Sequence, residues 1–343
     1  MRKLWATLRF VGRWLGPVLI ALAALLFVFP PMPFGDAAST TAITGAVVSL
    51  IAWFFARQPE RRRSRQILAT ATLIGLTYFG WSYWNERRGY TKETVSFDNR
   101  GARLVGTIYL PDRKGKVPGM VFLPGSGGVP RHFYRNYAAH FAQAGYAVLL
   151  YDKRGVGESS GKREGKGVLG GHKDMALLAS DAAAALTLLA SRAEVRREML
   201  GIGGVSEGGL IAPQAAALNG HAAFTLNLTS FTTTLFEAMT YQNASHNGSA
   251  QQLAGAKRWF GKDYDPMPSL RALSVPGFWL MADGDTMVPN RASIRNLESL
   301  RKLGKPYQYR VIPGAWHGLV FGPKALVLDT IDTWLAQVTA ESR

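Results

Sequence analysis

The chain has 343 residues, of which 47% are hydrophobic, so it has ample material for a large apolar core. It contains no cysteine, which excludes disulfide bonds and thiol catalysis. The formal net charge is +17, but part of it comes from basic clusters near the N-terminus and the rest is scattered. Without a dense basic stripe, the charge argues against a nucleic-acid-binding protein.

Three apolar runs without a charged residue come first in the chain, over residues 14–30, 37–56 and 67–84. Each is close to the length of about 17 to 25 residues that a membrane-spanning helix needs. A cleaved signal peptide is the alternative for the first run, but no small-x-small cleavage site follows it. Buried helices of a soluble domain would have to be apolar on every side. The sequence therefore predicts a membrane segment, residues 1–89, with three transmembrane helices.

The distribution of basic residues predicts the orientation of this segment. Basic residues are concentrated before the first run and between the second and third runs, and none lies between the first and second. The positive-inside rule then places the N-terminal tail and the second loop in the cytoplasm. Three crossings put the rest of the chain on the periplasmic side of the inner membrane. The smaller basic group of Arg87, Arg88 and Lys92 points the other way. Attraction to anionic lipid is expected from the juxtamembrane arginines.

From residue 90 onward, short apolar runs alternate with helical patterns. The predicted strands cover residues 94–97, 104–110, 117–123, 147–151, 199–205, 223–228, 277–282 and 307–312. The predicted helices cover residues 133–144, 174–191, 210–218, 291–303 and 324–338. This alternation predicts an α/β domain, residues 90–343, with a mostly parallel sheet and helices on both faces. Ligands of such sheets bind at the carboxyl ends of the strands.

The run Gly204-Val205-Ser206-Glu207-Gly208 lies between a predicted strand and an Ala-rich helix. A Gly-x-Ser-x-Gly turn in this context lifts the serine hydroxyl out of the sheet and directs the next amide towards the same space. Ser206 is therefore a candidate nucleophile. The alternative is a tight turn in which the serine only caps the helix.

An acid and a histidine follow later strands, which completes the chain order Ser, acid, His. Asp285 follows the strand 277–282, and His317 follows the strand 307–312. A serine hydroxyl needs an imidazole to take its proton, and the imidazole needs a carboxylate to hold its tautomer. Asp283 is the competing acid. The other histidines lack a strand-end position and are expected on the surface or on helices: His132, His140, His172, His221 and His246.

Two further loops lie at predicted strand ends. The loop after residues 117–123 reads Pro-Gly-Ser-Gly-Gly, and its glycines allow a backbone N–H to face a developing negative charge. The amide of Glu207 is the second candidate donor. Asp152 and Arg154 follow the strand 147–151. A position facing the cleft is one interpretation, but we expect them to hold their loop through an ion pair or hydrogen bonds.

Residues 151–159 (YDKRGVGES) and 206–213 (SEGGLIAP) resemble the α/β-hydrolases, over a region from about residue 91 to residue 338. They are most similar to a bacterial esterase branch of serine aminopeptidase-like or dienelactone-hydrolase-like proteins. The resemblance implies ester hydrolysis through an acyl-serine, with Ser206 as nucleophile, His317 as base and Asp285 as its acid. It implies oxyanion amides from Ser126 and Glu207. Pro124 and Val205 stand where relatives usually have histidine, and the first departure leaves the oxyanion donor less certain.

Residues 229–275 lack clear strands, and in this fold such an insertion usually forms a small cap over the site. Its apolar residues are candidates for an acyl pocket, although they could equally pack the cap onto the core. The predicted substrate-binding residues are Phe231, Phe236, Met239 and Tyr241, and Leu235, Trp259 and Phe260 are further candidates.

The sequence thus predicts a membrane-anchored serine hydrolase of carboxyl esters. Because the link between Trp84 and the first strand is short, the domain should lie near the bilayer, and lipid-like esters are the expected substrates. A peptidase or thioesterase of the same fold is the nearest alternative. A non-catalytic scaffold or sensor is another, but its triad should be broken. No cofactor or metal is expected, because no metal-ligand spacing and no phosphate loop is present. The sequence predicts no oligomeric state.

Overall fold

A computed structural model describes residues 88–163, 172–260, 262–317 and 324–341. All of them belong to one unit, Arg88–Arg343. The three predicted transmembrane helices lie outside the described residues. Within the described part of the chain, no helix combines the length and the apolar character needed to cross a membrane.

An eight-stranded sheet forms the centre of the unit, in the order β1-β2-β4-β3-β5-β6-β7-β8. Strand β2 runs antiparallel to its two neighbours, β1 and β4. The other six strands, β3 to β8, are all parallel to one another. Because the strands from β3 to β8 point the same way, their carboxyl ends meet at one edge. The strands are β1 (Tyr90–Asn99), β2 (Ala102–Pro111), β3 (Val117–Leu123), β4 (Ala147–Tyr151), β5 (Val195–Val205), β6 (Ala222–Leu228), β7 (Gly277–Ala282) and β8 (Tyr307–Ile312).

Helices cover both faces of this sheet. They are α1 (Arg135–Ala144), α2 (His172–Ala190), α3 (Glu207–Asn219), α4 (Leu235–Ser245), α5 (Ala250–Phe260), α6 (Met267–Ala272), α7 (Asn290–Lys302) and α8 (Lys324–Glu341), and a 3₁₀ turn at Arg131–Tyr134 precedes α1. Apolar residues of α2 and α3 share one buried cluster, whereas those of α1 and α8 share another. The sheet is therefore the middle of three layers.

Strand β3 shows why its sequence has no polar alternation. Val121 and Leu123 belong to the core cluster on the side of α2 and α3, and Met120 and Phe122 belong to the cluster on the opposite side. Successive side chains of a strand point to opposite faces. A strand covered on both faces must be apolar at every position, as β3 is.

The fold is the predicted α/β-hydrolase architecture, and the differences from the predicted elements are local. The predicted strands at 117–123, 147–151, 277–282 and 307–312 have the observed bounds. The opening hairpin is longer than predicted, because β1 continues through polar residues that alternate with half-buried ones. The predicted cap region, residues 229–275, contains the helices α4, α5 and α6.

Candidate active site

Ser206 lies at the turn between β5 and α3 in a strained backbone conformation. Its φ is 54° and its ψ is −115°, a region that side-chain-bearing residues rarely adopt. Such a conformation costs about 1–3 kcal/mol and persists only where the surroundings impose it. The Ser206 N–H donates to the carbonyl of Leu228 at 2.8 Å, and the Ser206 carbonyl accepts from the N–H of Leu210 at 3.0 Å. The two neighbouring elements thus hold the half-buried serine at the tip of the turn.

The glycines that flank Ser206 are required by close packing of the turn against the end of β3. A Cβ on Gly204 would lie 2.5 Å from the carbonyl oxygen of Leu123, and a Cβ on Gly208 would lie 2.4 Å from the same atom. Neither distance is compatible with a side chain. The Gly-x-Ser-x-Gly pattern therefore lets the serine turn approach the loop that follows β3.

The three residues predicted to form a triad lie in one hydrogen-bonded chain. Nε2 of His317 is 3.1 Å from Oγ of Ser206, and Nδ1 of His317 is 2.9 Å from Oδ2 of Asp285. When Nδ1 carries the ring proton and donates a hydrogen bond to Asp285, Nε2 is free to accept the Ser206 proton. The side chain of His317 is 26% exposed and that of Asp285 is fully buried. The arrangement can therefore move a proton away from a hydroxyl at an accessible surface.

Asp285 is held in place from three directions. Its Oδ1 accepts from the backbone N–H groups of Met287 at 2.8 Å and Val288 at 3.1 Å. Its backbone carbonyl accepts from the hydroxyl of Tyr241, on α4, at 2.9 Å. The competing acid Asp283 is exposed. Asp285, and not Asp283, is the carboxylate that meets His317.

The loop after β3 lies directly against the serine turn. A Cβ on Gly125 would be 3.8 Å from Cβ of Ser206, which places the peptide between Gly125 and Ser126 beside the nucleophile candidate. The Gly125 N–H donates to the hydroxyl of Tyr134 at 2.9 Å. Burial raises the pKa of that hydroxyl. Glu207 is the first residue of α3, so its N–H is one of the unpaired donors of a helix N-terminus. Both predicted oxyanion residues therefore border Ser206.

A cluster of buried charges lies behind this loop, and we call Lys153, Arg163, Asp174 and Glu207 the buried charge cluster. Nζ of Lys153 donates to Oε1 of Glu207 at 2.6 Å and to the carbonyl of Gly125 at 2.5 Å. Arg163 bridges the other oxygen of Glu207, at 3.0 Å, and Asp174, at 2.8 Å. Burial lowers the pKa of Lys153, although the Glu207 carboxylate opposes this effect. The cluster balances two positive charges with two negative ones, as buried charges require.

Asp152 and Arg154 flank Lys153 and hold the loop after β4, as predicted. The Asp152 carboxylate accepts from the Arg131 guanidinium, from the Arg131 N–H at 2.6 Å and from the Glu158 N–H at 3.1 Å. Arg154 donates two parallel hydrogen bonds to Asp181, at 2.7 and 2.5 Å. These residues stabilise the loop and do not contact Ser206, His317 or Asp285.

The predicted substrate-binding residues lie in different surroundings. Phe231 and Met239 belong to the buried cluster that joins the cap helices to α2 and α3, and Phe236 packs against it partly buried. Tyr241 is exposed. The side chains of Trp259 and Phe260 lie outside the described residues. Phe231 and Met239 thus pack the cap onto the core, and a role of these residues in substrate binding stays a prediction.

Within the described residues, no group of three or more His, Asp and Glu side chains is arranged to hold a metal ion. Among the other histidines, His140 lies 2.9 Å from Asp332 and connects α1 to α8.

The comparison with protein families matches residues 131–342, more than half of the chain, to the prolyl oligopeptidase family. The chain belongs to this family. Ser206, Asp285 and His317 all lie within the part that matches the prolyl oligopeptidase family, whereas Ser126 precedes it. Family membership and the geometry together support a serine hydrolase of the α/β-hydrolase fold. No protein of curated function matches the sequence.

Solved structures share the fold of this prolyl oligopeptidase family member at low sequence identity. A Pyrococcus furiosus esterase is 17% identical with a TM-score of 0.58, and the match covers 72% of this chain and 91% of that one. Acetyl xylan esterase 1 from Thermoanaerobacterium is 18% identical with a TM-score of 0.55, covering 73% and 84%. The Pyrococcus horikoshii acylaminoacyl peptidase is 14% identical with a TM-score of 0.57, covering 74% of this chain and 43% of that one.

Sequence reasoning missed the contacts of Lys153. Its partners Gly125 and Glu207 are 28 and 54 residues away in sequence, so no local pattern connects them. The available indication was a lysine two residues after an apolar strand, together with a glutamate directly after the serine of the turn. Two ionisable groups next to predicted strand ends would have suggested a buried pair.

Proposed function

We propose that the chain hydrolyses carboxyl esters through an acyl intermediate on Ser206. The observation that carries this proposal is the continuous contact from Ser206 through His317 to the buried Asp285, which begins at a serine in a strained turn. A structural serine would not need a positive φ or a histidine with its own carboxylate.

In the first step, Nε2 of His317 takes the proton of Ser206 while Oγ attacks the ester carbonyl carbon. Asp285 accepts a hydrogen bond from Nδ1 and stabilises the imidazolium that forms. The N–H groups of Ser126 and Glu207 donate to the carbonyl oxygen as it becomes negative. His317 then gives its proton to the leaving alcohol, and Ser206 carries the acyl group.

Water completes the cycle by the same proton transfers. His317 takes a proton from a water molecule, which attacks the acyl carbon, and returns that proton to Oγ of Ser206. The released product is the carboxylic acid. Apart from the ester and the water molecule, every group that takes part in these steps belongs to the chain.

The solved structures of similar fold bear on whether the chain cleaves esters or amides. The match extends over most of the length of the two esterases and less than half of the length of the peptidase. This difference supports esters as the preferred substrates. Amide cleavage is the second candidate, because the family name and the acylaminoacyl peptidase both point to peptide bonds. Parallel assays with p-nitrophenyl butyrate, a thioester of the same acyl group and aminoacyl p-nitroanilides decide between them.

We further propose that the apolar runs at residues 14–30, 37–56 and 67–84 anchor the enzyme in the inner membrane with its catalytic domain on the periplasmic side. The absence of charge in the runs and the basic residues around them support this topology. Alkaline phosphatase fused after Arg343 should be active, since it folds only outside the cytoplasm. A cytoplasmic reporter that fluoresces at the same position would refute the orientation.

An anchored domain near the bilayer would meet substrates that partition into lipid. We expect the full chain to hydrolyse a long-chain ester dispersed in liposomes faster than a short soluble ester. If it cleaves only p-nitrophenyl acetate and leaves the liposomal ester intact, lipid-like substrates are excluded.

The proposal is tested first with a fluorophosphonate probe, which reacts only with activated serines. The full chain should be labelled, and its Ser206→Ala variant should not be, although it shows the same circular dichroism spectrum. A folded wild-type chain that resists the probe would favour the non-catalytic scaffold instead.

A further inference from the structure

We infer that Lys153 is a positioning residue that holds both oxyanion donors, a role that rests on the proposed function. Its ammonium group contacts the Gly125–Ser126 peptide, which carries one donor, the Ser126 N–H. It also contacts the side chain of Glu207, whose backbone N–H is the other donor. The mechanism proposed above gives this buried lysine no part.

The contact with the loop after β3 acts through the geometry of one peptide bond. Nζ of Lys153 lies 2.5 Å from the carbonyl oxygen of Gly125. In a trans peptide the carbonyl and the N–H of the next residue lie in one plane and point in opposite directions. The described chain contains no cis peptide bond. Holding the Gly125 carbonyl therefore fixes the direction of the Ser126 N–H.

The preceding peptide, between Pro124 and Gly125, is held as well. The Gly125 N–H donates to Tyr134 at 2.9 Å, so the glycine has partners on both its N–H and its carbonyl. Gly125 has no side chain to restrict its backbone, and without these partners its φ and ψ would vary widely. The lysine thus supplies the order that a glycine-containing loop lacks by itself.

The contact with α3 acts on the second donor. Nζ of Lys153 lies 2.6 Å from Oε1 of Glu207, whose backbone N–H is the other oxyanion candidate. The side chains of Lys153 and Glu207 are 1% and 0% exposed. A buried pair is specific in its geometry because neither charge can be left without its partner. The lysine therefore sets the spacing between the loop after β3 and the first turn of α3.

The positive charge of Lys153 contributes in addition to the position of its side chain. A cation at the Gly125 carbonyl polarises that peptide and makes its N–H a stronger donor to a negative oxygen. The ammonium group remains behind the site and does not meet the substrate. Its effect should appear in the transition state, where the oxygen is negative, and not in binding of the neutral ester.

The experiment uses the full chain and the Lys153→Met variant, with p-nitrophenyl butyrate as substrate. Propylboronic acid serves as the analogue of the tetrahedral intermediate, because its adduct with Ser206 places an oxygen in the oxyanion position. We expect kcat to fall about 10-fold to 100-fold, which is less than the 10²- to 10³-fold loss for a deleted donor. The inhibition constant of the boronic acid should rise by a similar factor, while KM changes less than about twofold.

Two companion variants separate positioning from stability. Lys153→Met/Glu207→Gln removes the carboxylate charge that the single variant leaves without its lysine, so it should be more stable but equally slow. Arg154→Met removes the neighbouring buried ion pair with Asp181, which has no contact with either donor. This control should lower Tm and leave kcat and the inhibition constant within about twofold of wild type.

The inference is overturned if folded Lys153 variants match the Arg154→Met control in kcat and in boronic acid affinity. It is also overturned if both Lys153 variants fail to fold, because the lysine is then needed for the structure as a whole. A wild-type chain that neither cleaves the ester nor reacts with fluorophosphonate instead overturns the proposed function. An active wild type with unaffected Lys153 variants overturns the inference alone.

Discussion

The loops after β4 and β5 leave the same edge of the sheet but treat their polar residues in opposite ways. After β4, Asp152, Lys153 and Arg154 are all buried, and each charge has a partner. After β5, Ser206 is only half-buried, in a strained turn, and its hydroxyl faces a histidine that is 26% exposed. One loop is stabilised by its polar groups, whereas the other presents them to a substrate.

The difference shows that one loop provides the reactive group and the other provides rigidity. A reacting hydroxyl must stay accessible, so it cannot be enclosed by partners that would hold it rigidly. Buried ion pairs can be rigid because they are protected from water. Lys153 belongs to the buried loop and contacts Glu207, the residue after Ser206. We therefore expect the buried loop to restrict the motion of the serine turn.

The largest effect should come from Asp285→Asn, which acts through His317 on the accessible serine after β5. An amide in place of the carboxylate favours the wrong tautomer of His317, so kcat should fall about 10⁴-fold. Steady-state hydrolysis of p-nitrophenyl butyrate measures the loss. Asp283→Asn changes the exposed neighbouring acid and is the matched control, with an expected change within about twofold. Equal losses in the two variants would show that the loop, and not the carboxylate at position 285, is needed.

The next effect should come from Arg154→Met, which acts on the buried side. Removing one partner of a buried pair leaves the Asp181 charge uncompensated and should cost about 3–5 kcal/mol of unfolding free energy. Urea denaturation followed by tryptophan fluorescence measures it. The control is Arg301→Met, whose ion pair with Glu298 is exposed and should matter little. Similar stability losses in both would mean that burial does not make the ion pair after β4 more important than an exposed one.

These two loops also show how far the sequence predicts the molecule. The continuous apolar runs of β3, β4 and β7 predicted the sheet because burial on both faces excludes polar residues. Ser206, Asp285 and His317 were predicted because parallel strands bring their ends together. The partners of Lys153 could not be predicted, since the chain spacing of 28 and 54 residues leaves no periodic pattern. The helices of residues 229–275 were missed because short helices mix apolar and polar residues without a clear period.

A smaller effect is expected from Gly208→Ala, which separates the serine turn from the loop after β3. The added Cβ would lie 2.4 Å from the Leu123 carbonyl oxygen, and the required shift should cost about 1–3 kcal/mol. The same shift should widen the gap between the oxyanion donors and lower kcat. Gly255→Ala on α5 is the control, because beyond its chain neighbours and the backbone of its own helix no atom lies within 4 Å of its added Cβ, and alanine favours a helix. A stable, fully active Gly208→Ala variant would contradict the close packing.

The smallest effect should come from Tyr241→Phe, at the point where the cap meets the acid loop. The Tyr241 hydroxyl donates to the Asp285 carbonyl at 2.9 Å, and such a bond contributes about 0.5–1.5 kcal/mol. We expect kcat to fall a few-fold and by the same factor for p-nitrophenyl acetate, butyrate and octanoate, because the loss acts on the acid loop. Thr240→Val, whose hydroxyl bonds only within α4, should leave all three rates unchanged.

Comparing Tyr241→Phe with Tyr241→Ala then decides whether the exposed ring also binds substrate. If the ring lines an acyl pocket, its removal raises KM most for octanoate, since each buried methylene contributes about 0.8 kcal/mol. If the ring only carries the hydroxyl to Asp285, both variants lower kcat equally and leave the dependence on chain length unchanged. The second outcome would make Tyr241 a residue that supports the acid loop, although its side chain is exposed.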